Sequence, residues 1–400
     1  MKAPLLTFEE ALGQLLASAR PVPEHESVGL LDATGRVLAS DLVSSIAVPP
    51  HDNSAMDGYA VRCVDVTQPG VRLPVSQRVP AGASPAPLAA GSAARIFTGA
   101  PIPSGADAVV MQERCHADTD GVAIDELPRL GQNIRRRGED IEVGASVLSA
   151  GVRLNAARIG LAASIGVPQL NVLRRLRVAV FFTGDELREP GEALGPGAIF
   201  NSNRYMVRSL LAMLGCEVTD LGIVRDDLTA TRDALRRAAA AHDVVLTCGG
   251  VSVGEEDHVK AAVEAEGALS LWKIAIKPGK PLAFGRVGEA DFIGLPGNPV
   301  SAFVTFVMLV QPFLCRRMGL RDVGPVRREV PTTFDWLRAE SRREFVRVQL
   351  DADGRAVLHP RQGSGVLSSC AWADGLLDVA PGRTFAAGEL LPYISLREAN

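Results

Sequence analysis

Between residues 176 and 315 strand-like and helix-like runs alternate, and no other feature of the chain limits its fold as strongly. "LRVAVFF" reads as a buried strand and "NSNRYMVRSLLAMLG" as a helix, with Asn201 or Ser202 as its cap and Gly215 as its stop. "CEVTDLGIV", "LTATRDALRRAAAAH", "DVVLTCGG", "DHVKAAVEAEG" and "DFIGLPGNP" continue as strand, helix, strand, helix and strand before "VSAFVTFVMLVQPFLCRRMG". Alternation at this spacing calls for a mostly parallel sheet covered by helices on both faces. Ligands of such sheets bind outside the carboxyl ends of the strands. Four loops therefore matter: "TGDEL" (183–187), "VRDD" (224–227), "TCGGVSVGEEDH" (247–258) and "GLPGNPVS" (294–301). All are rich in glycine or acidic residues.

The rest of the chain has a different texture. Residues 45–145, rich in Val, Gly, Pro and short polar clusters, read as a compact β-rich module, and short alternating runs such as "REFVRVQL" mark a small β domain from about 326. At 400 residues several cores are expected. The N-terminus carries Phe8, Leu12, Leu15 and Leu16 at helical spacing, with Thr7 and Glu10 placed as a capping box. It lacks the pattern of a signal peptide, and "AFVTFVMLV", followed by Gln311 and Pro312, is too short to span a bilayer. These readings give the expectation of a cytoplasmic protein with no membrane partner. A net charge of -4 leaves no basic footprint for nucleic acid.

The six cysteines are scattered without C-x-x-C or zinc spacing and read as small core residues. Lysine is more informative. Only five of the 42 basic residues are lysines, and Lys260, Lys273, Lys277 and Lys280 fall within 21 positions. Lysine kept there in an arginine-biased chain suggests a need for compact ammonium charge, and "WKIAIKPGKP" reads as a rigid basic turn facing an anion; the bland alternative is a solvated face. The Gly249–Gly250 pair, with Ser252 and Gly254, offers backbone amides to an oxyanion, although it matches neither a P-loop nor a dinucleotide fingerprint. Glu186, Asp226, Asp227 and Asp257 lie in the strand-end loops, where carboxylates can share a hard cation with a phosphate; Asp226 and Asp227 are equally placed to cap a helix. The stretch "PPHDNSAMDGYAV" (49–61) reads as a shaped polar loop of undecided purpose.

Eight stretches in order carry a family resemblance: "PPHDNSAMDGYAV", "RIFTGAPIPSGADAVVMQE", "NIRRRGEDI", "FFTGDEL", "FNSNRYM", "GGVSVGEEDHVK", "KIAIKPGKPLAFG" and "GLPGNPVSAFVTF". From about residue 7 to about 395 the chain resembles the molybdopterin molybdenumtransferase (MoeA) family, to which the corresponding region of gephyrin is related. The resemblance implies the last step of molybdenum cofactor synthesis: adenylylated molybdopterin and molybdate are the substrates, AMP leaves, and Mg²⁺ assists. The soft ligands of the metal then belong to the pterin dithiolene, so the protein need supply only hard groups.

Carried over by motif, Asp57 corresponds to an essential loop aspartate and Thr98 to a functional threonine nearby. Glu186 and Asp257 match acidic positions associated with Mg²⁺ and the pyrophosphate, with Asp257 and Asp226 also in the catalytic set. Ser252, Lys273, Lys277 and Lys280 match the phosphate and molybdate side, and Arg347 and Ser364 match positions that help hold the anion. The implied fold is multidomain α/β plus β, with a central three-layer α/β domain. Residues 1–25 join 175–325 in that domain, 26–44 join 145–174 in a linking domain, 45–144 form the β-rich module, and 326–400 form a β barrel-like end. The implied assembly is a homodimer with the active cleft between subunits, supplied by a molybdopterin adenylyltransferase and serving recipient molybdoenzymes. His51, His258 and Asp374 depart from the residues common in the family. Two rival readings are that adenylyltransferase itself, which leaves the outer β regions unexplained, and a non-catalytic scaffold of the gephyrin type, which gives no reason to keep a cluster of like charges.

Overall fold

The computed structural model describes residues 5–250 and 258–396. Its centre is a six-stranded sheet in the order Glu217–Val224, Arg177–Thr183, Val244–Cys248, Ala290–Leu295, Pro281–Val287, Gly267–Lys273. The first four strands run parallel, and the last two are added antiparallel. These last two strands differ from the expectation of a plain turn, because "WKIAIKPGKP" begins inside Gly267–Lys273 and reaches Pro281–Val287 through a connection that itself holds the short strand Ile276–Lys277.

Side-chain alternation shows why the sheet needs cover on both faces. Val178, Val180 and Phe182 enter one buried cluster with Val207 and Leu211 of the helix Ser202–Met213. Ala179 and Phe181, from the same strand, enter the opposite cluster with Leu235 and Ala238 of the helix Leu228–Ala239. Burying each large apolar side chain stabilises the fold by roughly 1.5–3 kcal/mol. Local signals set the helix starts: Asn201 Oδ1 accepts from Arg204 N and Asp227 Oδ1 from Ala230 N, while Thr7 and Glu10 form the reciprocal capping box of Phe8–Ser18. Asp227 is thus a helix cap.

The helical run after Asn298 continues past Pro312. Pro299–Thr305, a π-helical turn over Phe306–Val310 and Gln311–Arg317 follow without a break, giving 19 residues long and apolar enough to cross a bilayer. The wider turn immediately before Pro312 accommodates a ring that lacks an N–H and crowds the preceding carbonyls. Burial within the fold covers 78% of that apolar stretch, which makes it the core helix of the central layer.

Two separated segments pair beside this centre: His25–Gly29 with Gln169–Leu173, and Leu42–Val43 with Ser146–Leu148, around a core that includes Leu38, Leu154 and Val172. Residues between them form a four-stranded sheet, in the order Val75–Val79, Ala93–Ile96, Gly58–Val61, Ala108–Met111, and a three-stranded companion. At the C-terminal end Arg343–Leu350, Gly375–Val379, Leu390–Ser395 and Arg327–Pro331 pair in that order. Ala356–Leu358 joins Arg343–Leu350 on its other side, and the curl is closed by the bridge between Thr332 and Ala356. Thr333 N and Oγ1 also donate to the Ala356 carbonyl beside this bridge, and among the described residues no closing ladder is present in the barrel-like end. Ile276–Lys277 adds to its edge in parallel, opposite Arg343 and Glu344, and so stitches it to the central layer.

Candidate active site

The chain order of the central sheet reverses direction around Arg177–Thr183, with Glu217–Val224 on one side and Val244–Cys248 on the other. At such a switch point the loops leaving adjacent strands diverge to opposite faces and open a crevice. A cavity of about 630 Å³ lies there, lined by Thr183, Gly184 and Glu186 from the first loop and Gly249 and Gly250 from the second. Gly249 and Gly250 have φ of 98° and 62°, and a Cβ on Gly250 would lie 2.5 Å from Val259 Cγ2. A left-handed turn packed this tightly requires glycine, and it brings main chain rather than side chains to the cavity wall.

Across the crevice stand Lys277, Lys280 and Arg342, with Ser364 from the C-terminal sheet and Asn298 and Ser301 at the start of the core helix. That helix end carries the positive pole of the macrodipole and favours anions. Glu186 and Asp226 face these cations from the strand-end loops. The cavity therefore joins a basic wall to an acidic one.

Lys277 is held by two carboxylates. Its Nζ lies 2.8 Å from Glu340 Oε1 and 3.0 Å from Glu344 Oε1. Burial works against its charge, but the hydrogen bonds to Glu340 and Glu344 outweigh it and raise its pKa above the ordinary lysine value. A second cavity of about 300 Å³ adjoins the first through Lys277, Pro278, Gln362 and Gly363, and Arg347 lines it. Arg347 is only 2% exposed. Its Nε donates to Ser369 Oγ at 3.2 Å and its Nη1 to the Phe345 carbonyl at 3.1 Å, while the buried Nη2 has no partner. Desolvation pushes its pKa below the usual arginine range. A buried guanidinium with an orphaned donor beside a cavity is a receptor for an anion.

Asp57 and Thr98 occupy a different place. Asp57 Oδ1 accepts from Thr98 N and from Thr98 Oγ1, both at 2.7 Å, and those bonds, the backbone one first, hold its carboxyl below the usual range. Neither residue lines the crevice of the same chain. Two other polar groups of that stretch serve the loop itself, since Asp52 accepts from Arg136 Nη1 and Arg137 N and Ser54 Oγ donates to the Met56 carbonyl, while Asn53 pairs with Arg135 through the backbone and its buried Oδ1 has no partner among the described residues. Arg95 lies over the rings of Tyr59 and Phe97 beside this loop, and its Nη1 donates to the Gly58 carbonyl at 3.1 Å.

Of the residues anticipated from sequence, Glu186, Asp226, Lys277, Lys280 and Ser364 meet in the crevice and Arg347 in its neighbour. Lys273 is exposed at the end of the edge strand and lines neither cavity. Ser252 and Asp257 lie outside the described residues. Arg342 and Gln362, in loops of the C-terminal region, were not singled out in the sequence. Ser301 and Asn298 fall within a loop that the strand-end rule had already marked. No group of three or more His, Cys, Asp or Glu side chains suited to a metal occurs among the described residues.

Comparison with known proteins agrees along the whole chain. Residues 6–166 match the MoeA N-terminal region (domain I and II), 179–316 a probable molybdopterin binding domain, and 329–396 the MoeA C-terminal region (domain IV). A molybdopterin molybdenumtransferase of Haemophilus influenzae is 44% identical over 86% of this chain and 85% of its own length. Molybdopterin molybdenumtransferase 2 of Mycobacterium tuberculosis is 38% identical over 93% and 94%. A crystal structure of the molybdopterin biosynthesis MoeA protein from Pyrococcus horikoshii superposes with a TM-score of 0.85 at 30% identity, covering 98% of this chain and all of that one. With three family regions in order and relatives matched nearly end to end, the chain belongs to the MoeA family, whose curated members here are molybdopterin molybdenumtransferases.

Proposed function

We propose that this protein inserts molybdate into adenylylated molybdopterin with release of AMP, acting as a molybdopterin molybdenumtransferase. Family membership supports the reaction class, and the observation that carries the substrate chemistry is the orphaned Nη2 of buried Arg347 beside the Lys277 and Lys280 wall. Molybdate and pyrophosphate are both oxyanions, and point charges together with a guanidinium hold such groups. Lys280, Arg342 and the start of the core helix draw in the anionic substrate, and the backbone of Gly249–Gly250 lets it approach closely.

Glu186 and Asp226 present hard oxygen donors on the acidic wall, a set that suits Mg²⁺ shared with a pyrophosphate. A magnesium ion bound there would draw charge from the pyrophosphate oxygens and so ease cleavage of the adenylyl link. Asp57, whose carboxylate the two Thr98 donors hold ionised and in place, is suited to orient the attacking water or the substrate by accepting a hydrogen bond. Because it stands apart from the crevice of its own chain, the reading assigns it to the crevice of a second subunit in a cytoplasmic homodimer. The substrate would come from a molybdopterin adenylyltransferase and the product pass to molybdoenzymes.

The test is anaerobic AMP release from adenylylated molybdopterin by the purified protein, with and without molybdate and Mg²⁺, beside Asp57→Ala. Molybdate- and Mg²⁺-dependent release that the substitution removes is the expected result. Binding without AMP release would favour a scaffold, and joining of AMP from ATP to free molybdopterin would make the protein the adenylyltransferase.

A further inference from the structure

Lys277 sits at the junction of both cavities, yet its charge is already more than met. Glu344 is its register partner across the parallel pair and is nearly buried, with Oε2 also accepting from Trp336 Nε1 at 3.2 Å. That carboxylate alone matches the ammonium charge and is fixed by the fold. Glu340 is a second, surplus carboxylate, and both its side chain and that of Lys277 are 40% exposed. An ion pair so open to water adds little to stability. Its backbone is nevertheless fastened, since the Glu340 carbonyl accepts from Gly382 N at 2.7 Å, so the carboxylate is kept within reach of the cavity mouth.

We propose that Glu340 is an affinity-setting residue, a built-in counter-anion on Lys277 that an incoming oxyanion must displace. The inference rests on the oxyanion-binding reading of the crevice and deepens it. An oxyanion on Lys277 Nζ would stand within a few ångströms of the Glu340 carboxylate, and like charges at that separation repel appreciably at the dielectric of a protein surface. Glu340 can swing into water at small cost because it is exposed, whereas Glu344 cannot. The surplus carboxylate leaves Lys277 more than neutralised while the site is empty and so weakens retention of the anion, which suits a site that must hand its cargo on. Lys280, Arg342 and Arg347 make no ion pair among the described residues, although Arg342 is close enough to feel the charge of Glu340.

The experiment is calorimetric titration of sodium molybdate into the full-length protein at fixed pH and ionic strength, comparing the wild type with Glu340→Gln and Glu389→Gln. Glu389 is a similarly exposed carboxylate paired with Arg383 in the same sheet region, so its variant controls for net charge. Glu340→Gln is expected to tighten molybdate binding about two- to fivefold, the span set by the loss of one exposed ion pair, and Glu389→Gln to leave it unchanged. An unchanged or weaker affinity in Glu340→Gln overturns the proposal, as does equal tightening in both variants. If neither wild type nor Glu340→Gln binds molybdate, the oxyanion reading of the crevice fails and this inference falls with it.

Discussion

Arg347→Met separates a structural role for the buried guanidinium from a binding one. The arginine contributes two neutral-acceptor hydrogen bonds, to Ser369 Oγ and the Phe345 carbonyl. Each adds about 0.5–1.5 kcal/mol net, so their loss costs about 1–3 kcal/mol. Against that, the substitution relieves the cost of keeping a desolvated charge with an unpaired donor in the interior. The two effects oppose each other, so thermal or denaturant unfolding should shift by less than the lost hydrogen bonds alone would give. Binding should respond strongly. A hydrogen bond to a charged group contributes about 1.5–3 kcal/mol, which corresponds to a molybdate affinity roughly ten- to a hundredfold weaker. Parallel unfolding and calorimetric titration provide the assay. A variant that unfolds far more easily yet binds molybdate as well as the wild type would refute the reasoning and leave Arg347 a purely structural residue.

Two further outcomes follow from the same geometry. Thr98→Val removes the hydroxyl donor but not the backbone donor to Asp57, whose depressed pKa should rise toward the ordinary aspartate value; the acid limb of the AMP-release profile should then move to higher pH, and an unmoved limb would remove Asp57 from the titrating step. Burial works against the Asp243 charge, but Asp243 accepts from Arg174 Nη1 and Nη2, at 2.7 and 2.8 Å, and from Arg177 N, bonds that outweigh the burial and lower its pKa. A depressed carboxylate pKa stabilises the fold above the unfolded-state value near 4 and loses that contribution as pH falls through the folded value. Asp243→Ala should therefore destabilise by about 3 kcal/mol at neutral pH and flatten the acid decline of a pH–unfolding series.

The opening polar stretch shows why motif reading stops short. Asp52, Ser54 and Asp57 look alike in the sequence, yet one anchors Arg136 and Arg137, one turns the backbone at Met56, and one is presented on Thr98. The partners of Asp57 and Asp52 lie 41 and 84 residues away, beyond any local pattern. Resemblance singled out Asp57 and Thr98, which hydrogen-bond each other in the fold, but it could not show Arg95 beside them. The lysine cluster behaves the same way. Composition marked it, and only the edge strand and the turn after it decide that Lys277 and Lys280 line the crevice while Lys273 does not.

What the sequence by itself determined is whatever depends on neighbours along the chain: helix caps at Thr7, Asn201 and Asp227, strands buried on both faces, and the crevice implied by alternating strand and helix. Those features arise from side-chain periodicity and local hydrogen bonding, which a linear reading contains. Tertiary structure alone decided the two strands added antiparallel at the end of the central sheet, the joining of the C-terminal sheet at Ala356, the buried Arg347 and the double clasp on Lys277. Each of these depends on register between distant strands, and register is chosen by the packing of the whole core rather than by any one segment.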